Sequence, residues 1–208
     1  MLTEEKTRLG VLVSGGGTNL QAIIDACDTR SLDAEVAVVF SNQASAFGLK
    51  RARRHSIPTA TLDRNKYETA RFYDHALLGV LQDHAVDVVV MAGYMRLLGR
   101  EVLTAFPDRV VNIHPALLPS FPGANGIHDA FDHGVKVTGV TVHFATAEYD
   151  TGPIIAQETV VIEEDDTAET LEARIHEVEH RLYPAALQLL VQDRLRIEGR
   201  RVRVLTAP

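Results

Sequence analysis

Between Asp87 and Gly93 the chain reads Val-Val-Val-Met-Ala, an apolar run with no polar position inside it. A strand with one wet face alternates apolar and polar side chains, so an unbroken run marks a strand buried on both faces. Such a strand needs a cover on each side of its sheet, and the neighbouring sequence supplies one. Residues 8–14, 35–41 and 59–62 read as further strands, and 18–28, 46–55 and 67–84 as helices. A short helix over 101–106 and a return to the sheet over 109–113 follow. Repeated βα units of this kind predict an α/β fold, a mostly parallel, doubly wound, Rossmann-like sheet between two helical layers.

The pattern changes after residue 134. Residues 137–144 and 154–162 both read as strands, and the segment 145–153 between them is too short for a crossover helix. Antiparallel pairing is therefore expected in the C-terminal half. A long helix is predicted over 167–190, opened by a capping box of Asp166 and Glu169 and ended or kinked at Pro184. Residues 194–205 alternate around Glu198-Gly199 as a small edge hairpin. With no repeat or linker, 208 residues suit a single domain. Its parts are a βα half over about 8–106, a second half over about 107–190 and an extension over 191–208.

A net charge of −7 argues against general nucleic-acid binding, which draws on a basic surface. The basic clusters at 50–54 and 194–203 are short and separated, and read as solvated faces. No apolar stretch approaches the roughly 20 residues of a membrane helix. The start, Met-Leu-Thr-Glu-Glu-Lys, lacks the basic-then-apolar build of a secretion signal. Cys27 is the single cysteine, and Leu20, Ile23, Ile24 and Cys27 fall at helical spacing on one apolar face. A cytoplasmic protein without disulfides, acting on small molecules as a monomer or homodimer, is the expectation.

Between the first strand and the first helix lies Ser14-Gly15-Gly16-Gly17-Thr18-Asn19. Glycines let backbone N–H groups turn inward, and a helix N-terminus adds partial positive charge, which suits a phosphate. Tight turns need glycine in any case. Two absences narrow the ligand. Leu20 stands where the third glycine of a dinucleotide fingerprint belongs, and Phe40-Ser41-Asn42 ends the second strand without a ribose-binding acid. A phosphomonoester fits better than a dinucleotide, and the absence of Gly-Lys-Ser/Thr sets aside a nucleoside triphosphate.

A second segment, Asn112-Ile-His114-Pro-Ala-Leu-Leu-Pro-Ser-Phe-Pro-Gly123, ends a strand with an amide and an imidazole before a loop stiffened by three prolines. Such a strand end displays catalytic groups in α/β enzymes, and it is also what an ordinary polar terminus looks like. With the glycine turn and with Gly139-Val-Thr-Val-His-Phe144 followed by Tyr149-Asp150-Thr-Gly-Pro-Ile154, the chain resembles the phosphoribosylglycinamide formyltransferases. The match runs over about residues 8–190.

That resemblance implies transfer of a formyl group from 10-formyltetrahydrofolate, a co-substrate, to the amine of glycinamide ribonucleotide, with no metal. It makes Asn112, His114 and Asp150 the catalytic trio. Gly15, Gly16, Gly17, Thr18 and Asn19 would hold the phosphate, and Glu179 the ribose. Met95, Arg96, Leu97 and Leu98 would form the pterin loop, with Arg96 reaching the folate tail. Asn112, Ala145, Ala147 and Asp150 would line the rest of the folate pocket, with His143 in support. Asn112 would donate to the oxyanion, and Asp150 would favour the His114 imidazolium as a second donor. Two positions depart from the family pattern. Ala70 stands where many members carry an arginine, with Arg71 next to it, and residues 124–129 carry no transferable substrate contacts.

Other chemistries compete. His176-Glu177-Val178-Glu179-His180 matches the H-E-x-x-H of zinc hydrolases, though only Asp193 and Glu198 lie downstream as a third ligand. Hydrolysis of 10-formyltetrahydrofolate would use the same trio with water as acceptor, in a family branch with an extra N-terminal domain. A phosphate-ligand binding module without catalysis is the third alternative.

Overall fold

A computed structural model describes residues 6–206. The chain divides into two compact units, Met1–Val110 and Val111–Pro208. In the first, β1 (Thr7–Val13), β2 (Ala34–Ser41), β3 (Thr59–Thr61) and β4 (Val88–Met91) lie in the order β3-β2-β1-β4. Their pairings are all parallel. All four residues of β4 are buried, as an unbroken apolar run requires. Helices α1 (Thr18–Asp28), α2 (Phe47–Arg54), α3 (Ala70–Asp83) and α4 (Arg100–Ala105) make the crossovers. Successive connections run outward from β1 towards β3, then return to β4 on its other side. The loops after β1 and β4 therefore part at a topological switch point, where ligands of α/β sheets bind.

The second unit is antiparallel at its centre. Strand β5 (Val110–His114) pairs antiparallel with β6 (Val137–Phe144), which pairs antiparallel with β7 (Ile154–Val161). The hairpin β8 (Leu195–Glu198) and β9 (Arg201–Val204) turns at Gly199, whose φ is +64°, and meets β7 at Ile154. The order is β5-β6-β7-β9-β8. The fold is thus mixed α/β, parallel in the N-terminal part and antiparallel beyond it apart from the parallel β7–β9 contact at Ile154 and Arg201. No helix among the described residues is long and apolar enough to cross a membrane.

Three local expectations are corrected. Helix α3 starts at Ala70, not near Tyr67, because Thr69 accepts the Phe72 N–H (3.2 Å) and fixes the cap there. Helix α6 (Ala168–Val191) is boxed by Thr167 and Thr170, each hydroxyl accepting the other's N–H, at 3.3 and 2.9 Å. Asp166 instead accepts from Arg174 (2.7 Å). Pro184 does not end α6, which continues to Val191. Tyr183, Pro184, Ala186 and Leu187 are all buried there, and that packing outweighs the missing N–H. A further helix, α5 (Gly126–His133), fills the segment whose contacts were unassigned. Ile127 and Ala130 face inward and Gly134, at φ +76°, stops it.

Candidate active site

Asn112 and His114 are two apart on β5, so their side chains leave the same face of the strand. The register sets Asn112 opposite His143 of β6, which adds an imidazole to that face. Asp150 arrives from the 145–153 loop in a left-handed conformation, φ +53°. Gly152 is what lets the loop turn there, since a Cβ on it would stand 1.7 Å from the Phe144 carbonyl oxygen. The two carboxylate oxygens of Asp150 then serve different partners. Oδ1 lies 3.4 Å from Asn112 Nδ2 and 3.6 Å from His143 Nε2. Oδ2 accepts the Gly123 N–H at 2.7 Å and lies 3.5 Å from His114 Nδ1.

Carbonyl neighbours fix the proton positions. Phe121 O only accepts and lies 2.7 Å from His114 Nε2, so that nitrogen carries hydrogen. Phe144 O likewise assigns hydrogen to His143 Nδ1 (2.9 Å), leaving His143 Nε2 to accept from Asn112 Nδ2 (3.1 Å). His114 is 3 % exposed, and this burial pulls its pKa below the usual 6.5 although Asp150 and the Phe121 carbonyl push it up. Asp150 thus favours the imidazolium, as expected of it, and burial outweighs that pull, leaving the ring neutral at rest. Burial pushes Asp150 up, but its hydrogen-bonding neighbours, the Gly123 N–H at 2.7 Å among them, hold it below the ordinary carboxylate range. The result is an ionised carboxylate beside a neutral imidazole whose unprotonated nitrogen faces it.

The glycine turn is built in the first unit. Gly17, at φ +69°, caps α1, whose first turn has no side-chain cap, and a Cβ on Gly17 would stand 2.7 Å from Gly48 Cα. Gly48 N–H donates to Gly15 O (3.0 Å), and Arg51 Nε donates to Gly16 O (2.9 Å). Helix α2 thus holds the carbonyls of the turn outward, leaving N–H groups at the α1 terminus for an anion. Ser14 ties the turn to the loop after β4, its N–H donating to Gly93 O (3.0 Å) and its Oγ accepting from Met95 N–H (2.9 Å).

The formyl transferase family pattern matches residues 7–187, which contain both the glycine turn and the Asn112–His114–Asp150 cluster. The chain belongs to the formyl transferase family. Glycinamide ribonucleotide transformylase 1 from Symbiobacterium toebii is 52% identical, with a TM-score of 0.95 over 97% of this chain and 95% of that one. Phosphoribosylglycinamide formyltransferase from Escherichia coli (strain K12) is 42% identical over 90% of this chain and 88% of its own length. A formyltetrahydrofolate deformylase from Pseudomonas syringae pv. tomato str. DC3000 is 29% identical, with a TM-score of 0.89 over 98% of this chain and 67% of that one. The trifunctional purine biosynthetic protein adenosine-3 of Gallus gallus, Bos taurus and Homo sapiens also matches, the chain spanning 19% of its length. Within the family the chain groups with the phosphoribosylglycinamide formyltransferases.

The remaining residues singled out for a formyl transferase fall into place unevenly. Met95 and Leu97 are exposed, whereas Leu98 is buried at 4 % and offers a ligand only its backbone. Arg96 stacks its guanidinium over the Tyr73 ring (5.1 Å to the centroid) in this structure. Arg71 donates to Glu101 (2.7 Å). Ala145 is half-buried and Ala147 exposed, in the loop that carries Asp150. Glu179 is buried, with Oε2 3.8 Å from His176 Nε2. His176 and His180 stack at 6.1 Å between ring centroids, and among the described residues no cluster of three ligand-type groups could hold a metal ion. Sequence reasoning missed Phe121, Gly123, Gly126 and Gly152, which act through backbone atoms or lack of a Cβ. It also passed over Ser14, Asn42, Gly48 and Arg51, although the first two stand in segments it quoted.

Proposed function

We propose that this chain transfers the formyl group of 10-formyltetrahydrofolate to the primary amine of glycinamide ribonucleotide, giving the N-formyl product and tetrahydrofolate in purine biosynthesis. The reading assigns both compact units to one formyltransferase domain. It rests above all on the convergence of Asn112, His114 and His143 on the two oxygens of one ionised Asp150, at 3.4–3.6 Å.

Attack of the amine on the formyl carbon makes a tetrahedral centre with a negative oxygen and a positive nitrogen. The Asn112 amide is the donor for the oxygen. Its Nδ2 is held by His143 at 3.1 Å, and the long 3.4 Å hydrogen bond to Asp150 Oδ1 is the one it exchanges for the developing oxyanion. The proton released by the attacking amine goes to the His114–Asp150 pair. His114 Nδ1 is unprotonated at rest, and the imidazolium formed on protonation is stabilised by the adjacent carboxylate. The same proton then passes to the folate nitrogen as the C–N bond to it breaks. No covalent intermediate and no metal enters these steps.

Binding roles follow the same division. Gly15, Gly16, Gly17, Thr18 and Asn19 take the phosphate through backbone N–H groups, and Glu179 takes the ribose. Met95, Arg96, Leu97 and Leu98 read the pteridine and its tail, with Ala145, Ala147 and Asn112 completing the folate pocket. Incubation with 10-formyltetrahydrofolate, with and without glycinamide ribonucleotide, tests the proposal. Folate release that requires the amine is the expected result. Equal release without it would mean hydrolysis, and none would mean a binding module.

A further inference from the structure

The loop after β4 is held by side chains that have no ligand role above. Ser14 Oγ donates its single hydrogen to Asn42 Oδ1 at 2.6 Å and accepts the Met95 N–H at 2.9 Å. Because Asn42 takes the hydrogen, a hydroxyl lone pair is left pointing at Met95. The Ser14 N–H meanwhile donates to Gly93 O at 3.0 Å, and Gly93 itself sits at φ +74°. One residue thus fixes the 93–95 backbone twice, by main chain and by side chain. The far end of the loop is fixed separately. Asp74 accepts from the Gly99 backbone, and a Cβ on Gly99 would stand 1.9 Å from Asp74 Oδ2. Between the two ends, Arg96 lies over Tyr73 and the Tyr94 ring packs edge-on to Phe40 (6.2 Å).

We propose that Ser14 is a positioning residue for the folate co-substrate, setting the backbone of residues 95–98 through its hydroxyl. This rests on the formyl-transfer reading above, which gives that segment the pteridine. Ser14 touches neither ligand in this scheme. Its hydroxyl holds the loop in shape before folate arrives, so binding need not order it. Removing the hydroxyl strands the Met95 N–H and releases the loop at its first anchor, while the Ser14 N–H to Gly93 O bond remains. The loss therefore falls on folate affinity and spares the glycine turn that holds the phosphate.

Ser14→Ala tests this in steady-state kinetics and in calorimetric titration with tetrahydrofolate, which needs no turnover. The expected outcome is a rise of about tenfold in KM for 10-formyltetrahydrofolate, the scale of one lost hydrogen bond plus loop ordering. KM for glycinamide ribonucleotide and kcat should stay within about threefold, and tetrahydrofolate affinity should weaken by a factor similar to the KM rise. Ser14→Thr, which keeps the hydroxyl, should restore both values. Asn42→Ala provides a second route if Ser14→Ala folds poorly. It leaves the Ser14 hydrogen without its acceptor and should weaken tetrahydrofolate binding by about threefold. Equal rises in both KM values, a fall in kcat alone, or unchanged tetrahydrofolate affinity in both variants would overturn the assignment. A wild-type protein that binds tetrahydrofolate but releases no folate in response to the amine would instead sink formyl transfer, while the titrations still decide the role of Ser14.

Discussion

Asp150 Oδ2 stands 3.5 Å from the unprotonated Nδ1 of His114, while the other ring nitrogen of His114 is committed to the Phe121 carbonyl at 2.7 Å. The carboxylate is thus placed to stabilise a proton that the imidazole has yet to receive. Burial keeps the ring neutral at rest, and Asp150 makes its protonation during the reaction less costly. A proton shuttle needs such a balance, because a ring already charged could not take the amine's proton.

That balance fixes a pH dependence. His114 titrates below 6.5 in the folded chain, so kcat/KM should fall as pH drops through a midpoint lower than 6.5. Asp150 raises the His114 pKa, so the residual activity of Asp150→Asn should show this acid limb at still lower pH. Stability follows the same sign. Between the folded value and 6.5 the unfolded chain binds the proton more readily, so stability is lost as pH falls through that window. An acid limb centred above 6.5 would contradict the neutral resting ring.

Asn112 is expected to matter to kcat more than to affinity. Asn112→Ala should lower kcat by about 100- to 1000-fold, the usual cost of one oxyanion donor, with tetrahydrofolate affinity changed little by comparison. His143→Gln, which removes the imidazole acceptor that aims the Asn112 amide, should give a smaller fall of about tenfold in the same constant. Single-turnover kinetics at saturating substrates measures both, and an unchanged rate in Asn112→Ala would remove the amide from the mechanism.

Much of this was legible because periodicity and the site motifs agree. The unbroken run at 88–92 gave a doubly covered strand, the spacing of Leu20, Ile23 and Ile24 gave α1, and the short 145–153 loop gave the antiparallel pair. What stayed hidden depends on backbone atoms and on opposing energies. Nothing in the letters shows that Phe121 O accepts from His114 Nε2 or that Gly123 N–H donates to Asp150 Oδ2. The net direction of the His114 shift stayed open because a nearby carboxylate can be inferred from a motif, whereas the competing burial cannot. That α6 runs on past Pro184, as the 167–190 pattern required, is likewise settled by a tertiary fact, the packing around Tyr183 and Leu187.

Cys27 sits at the edge of the apolar face of α1, half-buried, and burial pushes its thiol up to about 11. The thiolate is the reactive form, so at pH 8 only about one thiol in a thousand would be ionised. Iodoacetamide at that pH should therefore modify the native chain far more slowly than the chain in guanidinium, followed by mass spectrometry. Alkylation at the denatured rate under native conditions would show that Cys27 is not held in the helix packing described.

Gly152→Ala combines a stability effect with a functional one. A Cβ there would stand 1.7 Å from Phe144 O and 3.2 Å from the Thr146 methyl carbon, so the 145–153 loop must move. Overpacking of this kind costs about 1–3 kcal/mol, which should appear as a lower Tm in thermal unfolding. Because Asp150 is two residues away and makes 2.7 Å and 3.5 Å approaches to Gly123 N–H and His114 Nδ1, the same shift should lower kcat by about 10- to 100-fold in the molecules that remain folded. Glu148→Ala lies in the same loop but at an exposed side chain, and should lower Tm by only a degree or two with kcat near wild type. Loss of activity in Gly152→Ala no greater than its loss of folded protein would mean that the Asp150 carboxylate need not be held so closely.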